Sequence, residues 1–322
     1  MLLTLEDGCG PAGHPWHSGT TWVAAKNGHL ECLRVAVEAG CPWHPHTTLG
    51  AAAGGHLECL RVAVEAGCPW HPDTTLGAAA GGHLECLRVA AEAGCPWHPE
   101  TTLGAVGGGH LDCLRFAVEA GCCRGHPWDA RTTWVAASGG HLDCLRFAVE
   151  AGGLCDGEHD SCPWDPDTTS AAARGGHLEC MRVAVEAGCP WSYGTTWMAA
   201  SNGHLECLRY AVEAGCPWHP LTTGGAANGG HLECLRVAVE AGCPWTPSPV
   251  EIVQVAEGAC RVWLEAARAA VNAIGSAWKA SCRRRCAAFA LCLNRLLPRD
   301  LAGAVMMTVR VGSSGVGANF SP

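Results

Sequence analysis

Cysteine and histidine recur along this 322-residue chain at spacings that metal sites use. His29 is followed by Cys32, and Cys41 is followed by His44, with two residues between the members of each pair. Imidazole and thiolate groups at such spacings are typical zinc ligands. Cys32 and Cys41, however, are separated by helix-forming sequence whose rise places them about 13 Å apart. Because the position of His44 also becomes Asp165, Ser192 and Thr246 further along, the pattern predicts buried packing thiols.

Two longer segments carry a separate metal hypothesis. The first segment holds Cys122, Cys123 and His126, and the second holds Cys155, His159 and Cys162 among Asp156, Glu158 and Asp160. Four soft or imidazole ligands drawn from both segments form a set that zinc accepts. The alternative, which we favour, is a solvated acidic loop with incidental thiols. We accordingly predict that the protein uses no cofactor.

The motifs of common enzyme classes do not occur in the sequence. There is no glycine-rich phosphate loop, no nucleophile elbow and no zinc-protease helix. The cysteines and histidines are repeated many times, whereas an active site needs one particular constellation of groups. The sequence therefore predicts a protein that is not an enzyme.

Charge is distributed unevenly along the chain. Residues 1–249 carry 12 basic and 26 acidic side chains, for a net charge of −14, whereas residues 250–322 carry 9 and 4, for a net charge of +5. An acidic surface repels the phosphate backbone, whose contacts dominate nucleic-acid affinity. The charge therefore disfavours DNA or RNA as a partner of residues 1–249.

The 23 cysteines are interpreted as free thiols. The segment Met1–Cys9 has neither the basic region nor the apolar run of a secretory signal, and no segment has the roughly 18 apolar residues of a membrane span. Without a route to an oxidising compartment, disulfides are not expected. We predict a cytoplasmic location, with the nucleus as an alternative because residues 283–285 are consecutive arginines. A solvated helix face is the other interpretation of these arginines.

The tripeptide Gly-His-Leu occurs eight times and defines a repeat of about 27 residues. In one copy, Thr47–Ala53 has the length of a short helix that is ended by glycine. Leu57, Leu60 and Ala63 then mark one face of a second helix, and Gly67 predicts a left-handed helix end. Each repeat is therefore predicted to be helix, turn, helix and proline-containing connector. Because one repeat cannot bury its own apolar stripe, the repeats are expected to stack into a solenoid.

The repeat resembles the ankyrin family. Residues 20–25 (TTWVAA) are similar to the family's Thr-Pro-Leu-His-x-Ala-Ala start, and residues 28–41 (GHLECLRVAVEAGC) are similar to its Gly-His-x-x-Val-Val-x-Leu-Leu-Leu-x-x-Gly-Ala segment. The repeat is about six residues shorter than the family's 33, mostly in the connector, which argues against binding by long β-hairpin fingers. The resemblance implies an all-α, ankyrin-type helix-turn-helix solenoid of about eight repeats with a helical C-terminal cap.

Four segments are predicted along the chain. Residues 1–19 are expected to be a truncated repeat that serves as an N-terminal cap, because Leu5–Cys9 is similar to Val37–Cys41. Residues 20–249 are the ankyrin-like array. Residues 250–298 are predicted to form a helical C-terminal cap, because apolar residues recur there at helical spacing. Residues 299–322 are rich in glycine and serine and are predicted to be a flexible tail.

The positions that vary between repeats are predicted to bind a protein partner, whose identity the sequence does not give. Positions shared by every repeat are the ones that stacking requires, and large aromatic residues anchor interfaces. The predicted contact positions, on the concave face formed by the first helices, are Trp22, Val23, Lys26, Asn27, Asp73, Glu100, Trp134, Arg174, Tyr193, Trp197, Met198, Ser201 and Asn202.

Several alternatives stay open at this point. The connector tryptophans, of which Trp43 and Trp70 are examples, are predicted to form a core seam between repeats, with an exposed aromatic ladder as the alternative. The protein is alternatively a ubiquitin-ligase substrate receptor that docks through its C-terminal helices, since residues 297–301 (LPRDL) are faintly similar to parts of F-box and SOCS-box modules. A third hypothesis is a cysteine-rich structural or redox-sensitive array.

Overall fold

The computed structural model describes residues 17–122, 130–151 and 164–244, together with residue 258, residues 260–266 and residue 269. These residues are helical or lie in turns and connectors, and they contain no strand. The helices of residues 17–244 are α1 (Gly19–Lys26), α2 (Leu30–Glu38), α3 (Thr47–Ala53), α4 (Leu57–Glu65), α5 (Thr74–Ala80), α6 (Leu84–Glu92), α7 (Thr101–Gly108), α8 (Leu111–Glu119), α9 (Ala130–Gly139), α10 (Leu142–Ala151), α11 (Thr168–Gly175), α12 (Leu178–Glu186), α13 (Thr195–Ser201), α14 (Leu205–Glu213), α15 (Thr222–Asn228) and α16 (Leu232–Glu240).

Consecutive helices pair into repeats 1 to 8, so that repeat 1 is α1 with α2 and repeat 8 is α15 with α16. The chain divides into two compact units, Met1–Asp165 and Pro166–Pro322. Unit 1 contains repeats 1 to 5 and unit 2 contains repeats 6 to 8. Within each unit, the first helix of a repeat packs against the first helix of the next, and the second helices pack likewise. The predicted all-α architecture of stacked helix-turn-helix repeats is confirmed within each unit.

Glycines in the left-handed conformation end the helices. After α4, Gly67 has φ +74°, its N–H donates to the carbonyl of Val64, and the N–H of Cys68 donates to the carbonyl of Ala63. This pair of bonds satisfies carbonyls that would otherwise lack partners at the helix end. The sequence-based assignment of a left-handed helix end at Gly67 is therefore confirmed.

The core of each repeat is built from small and medium side chains. Leu60, Ala63 and Cys59 of α4 are buried beside Ala51 and Ala52 of α3. Burying one leucine side chain stabilises the fold by about 1.5–3 kcal/mol. Because the helices present alanine, cysteine and glycine to each other, they pack without large aromatic residues in the centre.

Buried threonines join neighbouring repeats. The hydroxyls of Thr75 and Thr101 are 3.0 Å apart, and Thr75 also accepts the backbone N–H of His98 at 2.9 Å. Thr101 in turn donates to the carbonyl of His98 at 2.8 Å. Every hydroxyl of the pair thus has partners although both side chains are fully buried. This pairing recurs in both units and fixes the register of one repeat on the next.

Within each unit, the histidine of a Gly-His-Leu tripeptide packs on the preceding repeat, as seen for His56, His83, His110, His141, His204 and His231. His56 Nε2 lies 3.0 Å from the carbonyl oxygen of Lys26, at the end of α1, and donates a hydrogen bond to it. Its ring also lies against Gly28, which has φ +72°, so closely that an added Cβ would be 2.5 Å from His56 Nδ1. The glycine and the histidine of the tripeptide therefore serve the contact between repeats.

The predicted end segments lie mostly outside the described residues. Residues 1–16 and 299–322 are not described, and within the predicted C-terminal cap the described residues 260–266 are helical. In that helix Cys260, Trp263 and Leu264 are buried. Among the helices that the structure describes, none has both the length and the apolar character that crossing a membrane requires.

Candidate functional site

Trp197 forms the centre of a surface cluster in unit 2. It is the third residue of α13 and lies over Gly225 of α15, where an added Cβ would be 2.8 Å from Trp197 Cδ1. Its ring stacks on the ring of His219 with a centroid distance of 5.6 Å. The glycine of repeat 8 thus makes room for a large aromatic side chain of repeat 7, and the tryptophan remains half-buried.

Two large side chains beside this cluster are exposed. Tyr193 is 60% exposed and Leu221 is 46% exposed, whereas most apolar side chains of the repeats are covered. The ring of Tyr193 meets that of His219 edge-on at 4.7 Å, and His219 Nδ1 accepts the N–H of Leu221 at 3.1 Å. We call Tyr193, Trp197, Met198, His219 and Leu221 the unit 2 patch.

The electrostatic state of His219 follows from this packing. Burial lowers the pKa of His219, because a charged imidazolium loses hydration between Tyr193 and Trp197. Its Nδ1 is also an acceptor for a backbone N–H, a role that only the unprotonated nitrogen can have. The patch therefore presents a neutral, largely aromatic surface at neutral pH.

A related cluster occurs at the first repeat of unit 1. Trp22 stacks on His44 at 5.4 Å and lies over Gly50. The neighbouring Val23 is 36% exposed. The ammonium of Lys26 lies 5.2 Å from the centroid of the Trp22 ring. The predicted contact residues Trp22, Val23 and Lys26 are thus brought together on one surface.

Two of the predicted contact residues complete helix ends. The side-chain amides of Asn27 and Asn202 each donate to the carbonyl four residues earlier, that of Val23 and of Met198, at 2.8 Å. Both asparagines are exposed. Most other repeats have glycine at this position. Asparagine here therefore adds a hydrogen bond at the helix end and also changes the exposed surface.

Asp73 and Glu100 contact the repeat that follows. An Asp73 carboxylate oxygen lies 3.6 Å from His98 Nε2, and Glu100 accepts a hydrogen bond from Arg131 Nη2 at 3.0 Å. Sequence variation suggested residues reserved for a partner, but these two carboxylates already link neighbouring repeats of unit 1. Part of each side chain remains accessible beside these bonds.

The remaining predicted contact residues lie on first helices. Trp134 on α9 is half-buried, and Arg174 is exposed near the end of α11. Met198 and Ser201 are half-buried on α13, and the Ser201 hydroxyl donates to the carbonyl of Met198 at 3.5 Å. Arg174, Met198 and Ser201 thus belong to the same unit as the unit 2 patch.

The connector tryptophans that the structure describes are half-buried. Trp97 lies 6.3 Å from the ring of Phe116 in the second helix of the next repeat, and Trp191 lies 6.3 Å from Tyr210. These contacts favour the seam between repeats over the freely exposed ladder, because one side of each ring packs on protein.

Of the six residues in the zinc hypothesis, the structure describes only Cys122. Cys122 is buried, and burial raises the pKa of its thiol to about 11, against a smaller lowering by a hydrogen bond with Thr101. It occupies the same place as Cys68 and Cys95 in the preceding repeats. Within residues 17–122, 130–151 and 164–244 there is no group of three residues that could hold a metal. Cys123, His126, Cys155, His159 and Cys162 lie outside the described residues.

The sequence-based prediction missed His219 and Leu221. Histidine stands at the same connector position as His219 in other repeats, as His44, His71 and His98, so variation between repeats does not distinguish it. Leu221 stands where repeats 2 to 4 have His46, Asp73 and Glu100. An apolar residue in a column of polar ones is a signal that comparing the repeats column by column would have detected.

No protein-family model matches the sequence, and a search of curated proteins finds no significant relative. Among solved structures, the chain is similar to the ankyrin repeat domain of human ASB11, with 19% sequence identity and a TM-score of 0.42. That similarity covers 53% of this chain and 84% of the ASB11 chain. In the described residues, the eight helix pairs and the left-handed glycines that follow many of their helices resemble the repeats of ankyrin proteins.

Proposed function

We propose that this protein is a non-enzymatic, protein-binding repeat scaffold that recognises its partner through the unit 2 patch. The observation that carries the proposal is the exposure of Tyr193, whose ring contacts His219, and of Leu221, whose backbone N–H donates to the same histidine ring. In repeats 2 to 4, proline stands at the position of Tyr193 and a polar residue at that of Leu221. Repeats 7 and 8 therefore expose apolar surface that stacking does not require.

The construction of the patch suits recognition. Aromatic side chains that are held in place supply most of the energy of many interfaces. Trp197 is fixed between Gly225 and His219, and Tyr193 contacts the same histidine. A surface that is already ordered loses little conformational entropy on binding. The helix pairs therefore act as a rigid support for a few exposed side chains.

Other predicted positions extend the proposed surface. On unit 2, the further candidates are Ser201 at the end of α13, its C-cap residue Asn202, and Arg174 on α11 of the preceding repeat. On unit 1, the cluster of Trp22 and Val23 is the second candidate contact surface. Asp73 and Glu100 are secondary candidates, because each already bonds to the next repeat.

The buried thiols do not favour the redox-sensitive alternative. Burial raises the pKa of Cys68 and Cys216 to about 12 and that of Cys95 to about 11, in each case against a smaller lowering by threonine hydrogen bonds. Oxidants react with the thiolate, which is scarce at neutral pH when the pKa is this high. The ubiquitin-ligase alternative depends on the C-terminal helices predicted for residues 250–298 and on residues 297–301, most of which lie outside the described residues.

Reverting the patch to the sequence of other repeats tests the proposal. The triple variant Tyr193→Pro, Trp197→Leu and Leu221→Asp uses only residues that repeats 2 and 3 carry at the same positions. Partners captured from host-cell lysate by wild-type protein should bind the variant about 30-fold more weakly, as expected when anchor residues are lost.

The matched control is His46→Asp. His46 stands in repeat 2 at the position of Leu221, and repeat 3 has aspartate at that position. It should leave capture unchanged, and circular dichroism should show the same helix content for all three proteins. Equal capture by wild type and the triple variant would contradict the proposal.

A further inference from the structure

Lys26 shows which chemical group the tryptophan face of these repeats accepts. Its ammonium lies 5.2 Å from the centroid of the Trp22 ring, one helical turn away on α1. The attraction between a cation and the electron-rich ring face contributes about 0.5–1 kcal/mol at exposed sites. In repeat 1, the protein itself thus supplies a cation to the tryptophan.

Repeat 7 has the same construction without the cation. Trp197 and Ser201 stand where repeat 1 has Trp22 and Lys26. Both tryptophans stack on the histidine of the following connector, at 5.4 Å and 5.6 Å, and both lie over a glycine of the next first helix. The short side chain of Ser201 cannot reach over the ring, so the residue at this position of repeat 7 does not supply the cation that Lys26 supplies in repeat 1.

The charges around the patch also favour a cation. The exposed carboxylate of Asp167 accepts a hydrogen bond at 2.9 Å from Ser192, the residue before Tyr193. Residues 1–249 as a whole have a net charge of −14. A negative field of this kind attracts basic partners and raises their rate of association. His219 is neutral and adds no opposing charge, which leaves the exposed Arg174 of repeat 6 as the basic side chain among the candidate contact residues of unit 2.

From these observations we infer that the unit 2 patch binds a short basic segment of a partner protein, with a lysine or arginine side chain stacked on Trp197. An apolar residue next to that cation packs against Tyr193 and Leu221. The inference rests on the proposed function, since it names the partner chemistry of the same patch. Lys26 occupies on Trp22 the position that the lysine or arginine of the partner takes on Trp197.

Fluorine NMR of full-length protein labelled with fluorotryptophan tests the inference directly. The signals of Trp197 and Trp22 are assigned from their absence in Trp197→Leu and Trp22→Leu. The titrant is the peptide acetyl-Gly-Leu-Arg-Leu-Gly-amide. Its citrulline counterpart has the same shape without the charge, and its glutamate counterpart has the opposite charge.

The arginine peptide should shift the Trp197 signal and leave that of Trp22 in place, because Lys26 already covers Trp22. It should bind about two- to fivefold more tightly than the citrulline peptide, which is the affinity equivalent of one exposed cation–π contact. Ser201→Lys should remove that preference, whereas the matched control Ala80→Lys, which adds the same charge at the same position of repeat 3, should keep it. Lys26→Ser should make Trp22 begin to respond.

Equal shifts with the arginine and citrulline peptides, or stronger binding of the glutamate peptide, would overturn the inference. Concentration-dependent shifts without any peptide would show that a second copy of this chain occupies the patch, which would also overturn it. The two proposals fail separately. If the triple reversion abolishes partner capture while Ser201→Lys does not weaken it, the binding function stands and the basic segment is wrong.

Discussion

The junction between repeats 3 and 4 in unit 1 and the junction between repeats 7 and 8 in unit 2 are the same inside. The hydroxyls of Thr75 and Thr101 are 3.0 Å apart in the first, and those of Thr196 and Thr222 are 3.0 Å apart in the second. In each, the earlier threonine also accepts a histidine backbone N–H at 2.9 Å. The buried hydrogen bonds that join repeats are therefore constant.

The surfaces of the same two junctions differ. In unit 1, the Leu76 side chain lies over Gly104 of α7, and an Asp73 carboxylate oxygen lies 3.6 Å from His98 Nε2. In unit 2, Trp197 covers the equivalent glycine, Tyr193 meets the histidine, and Leu221 is exposed. Stacking therefore tolerates a change from charged to aromatic residues at the surface of the junction. These surface positions can accordingly differ between repeats and determine binding specificity.

The largest expected effect, alkaline unfolding, should be common to both regions. Burial raises the pKa of Cys95 to about 11 and that of Cys216 to about 12, from an ordinary value of 9.0. Because unfolded thiols ionise first, their stabilisation is complete below pH 9 and is lost as pH rises toward 11–12. Each buried thiol then removes up to about 1.4 kcal/mol per pH unit.

Urea unfolding under reducing conditions at increasing pH measures this loss. Cys95→Ala and Cys216→Ala should each remove one thiol's contribution to the pH dependence above pH 9, and the contribution of Cys216 should extend to higher pH because its pKa is about 12 against about 11 for Cys95. A free energy of unfolding that does not change between pH 8 and pH 10 would contradict the account, since those values lie on either side of the unfolded pKa of about 9.

The next largest effect distinguishes two left-handed glycines of unit 1. Gly82 and Gly94 have φ of +74° and +77°, but an added Cβ would be 2.5 Å from the His110 ring at Gly82 and would meet nothing within 4 Å at Gly94. Gly94→Ala should cost about 1–2 kcal/mol for the backbone alone. Gly82→Ala should cost about 1–3 kcal/mol more, because the histidine must move.

Urea denaturation of the two variants measures the difference. In unit 2 the matched pair is Gly203→Ala, which would meet the His231 ring at 2.5 Å, and Gly215→Ala, which would meet nothing. If both members of a pair cost the same, the histidine contact does not contribute to stacking.

A smaller effect is expected from the threonine pairs. Thr75→Val and Thr196→Val keep the shape of the side chain, but they leave the backbone N–H of His98 or His219 without its acceptor and remove the hydrogen bond between the two threonine hydroxyls. Each should lower the free energy of unfolding by about 1–3 kcal/mol, and by similar amounts because the two junctions have the same geometry. A marked difference between the two variants would show that the junctions are not equivalent inside.

The smallest effect on stability belongs to the patch. Tyr193→Pro should change the free energy of unfolding by no more than about 0.5 kcal/mol, because the side chain is mostly exposed and proline stands there in repeats 2 to 4. Thermal unfolding followed by circular dichroism checks this. A large destabilisation would assign Tyr193 to the fold and weaken its proposed role in binding.

Much of the fold was predictable because the repeats are copies of one another. Helix positions, the left-handed end at Gly67 and the buried thiols followed from periodicity within one repeat. The pairings of Asp73 with His98 and of Glu100 with Arg131 did not, because they join residues more than 20 positions apart whose proximity depends on how repeats stack. For the same reason, the exposure of the Leu221 side chain could not be predicted from the sequence.

The most direct test of the central claim exchanges the two surfaces while keeping the two interiors. In the triple reversion of the unit 2 patch, the substitutions Pro72→Tyr, Leu76→Trp and Glu100→Leu rebuild the patch on repeats 3 and 4. The affinity for the captured partner is then measured by calorimetry. We predict that the reversion loses binding and that the rebuilt patch recovers it at least in part. Wild-type affinity in the reverted protein would contradict the account.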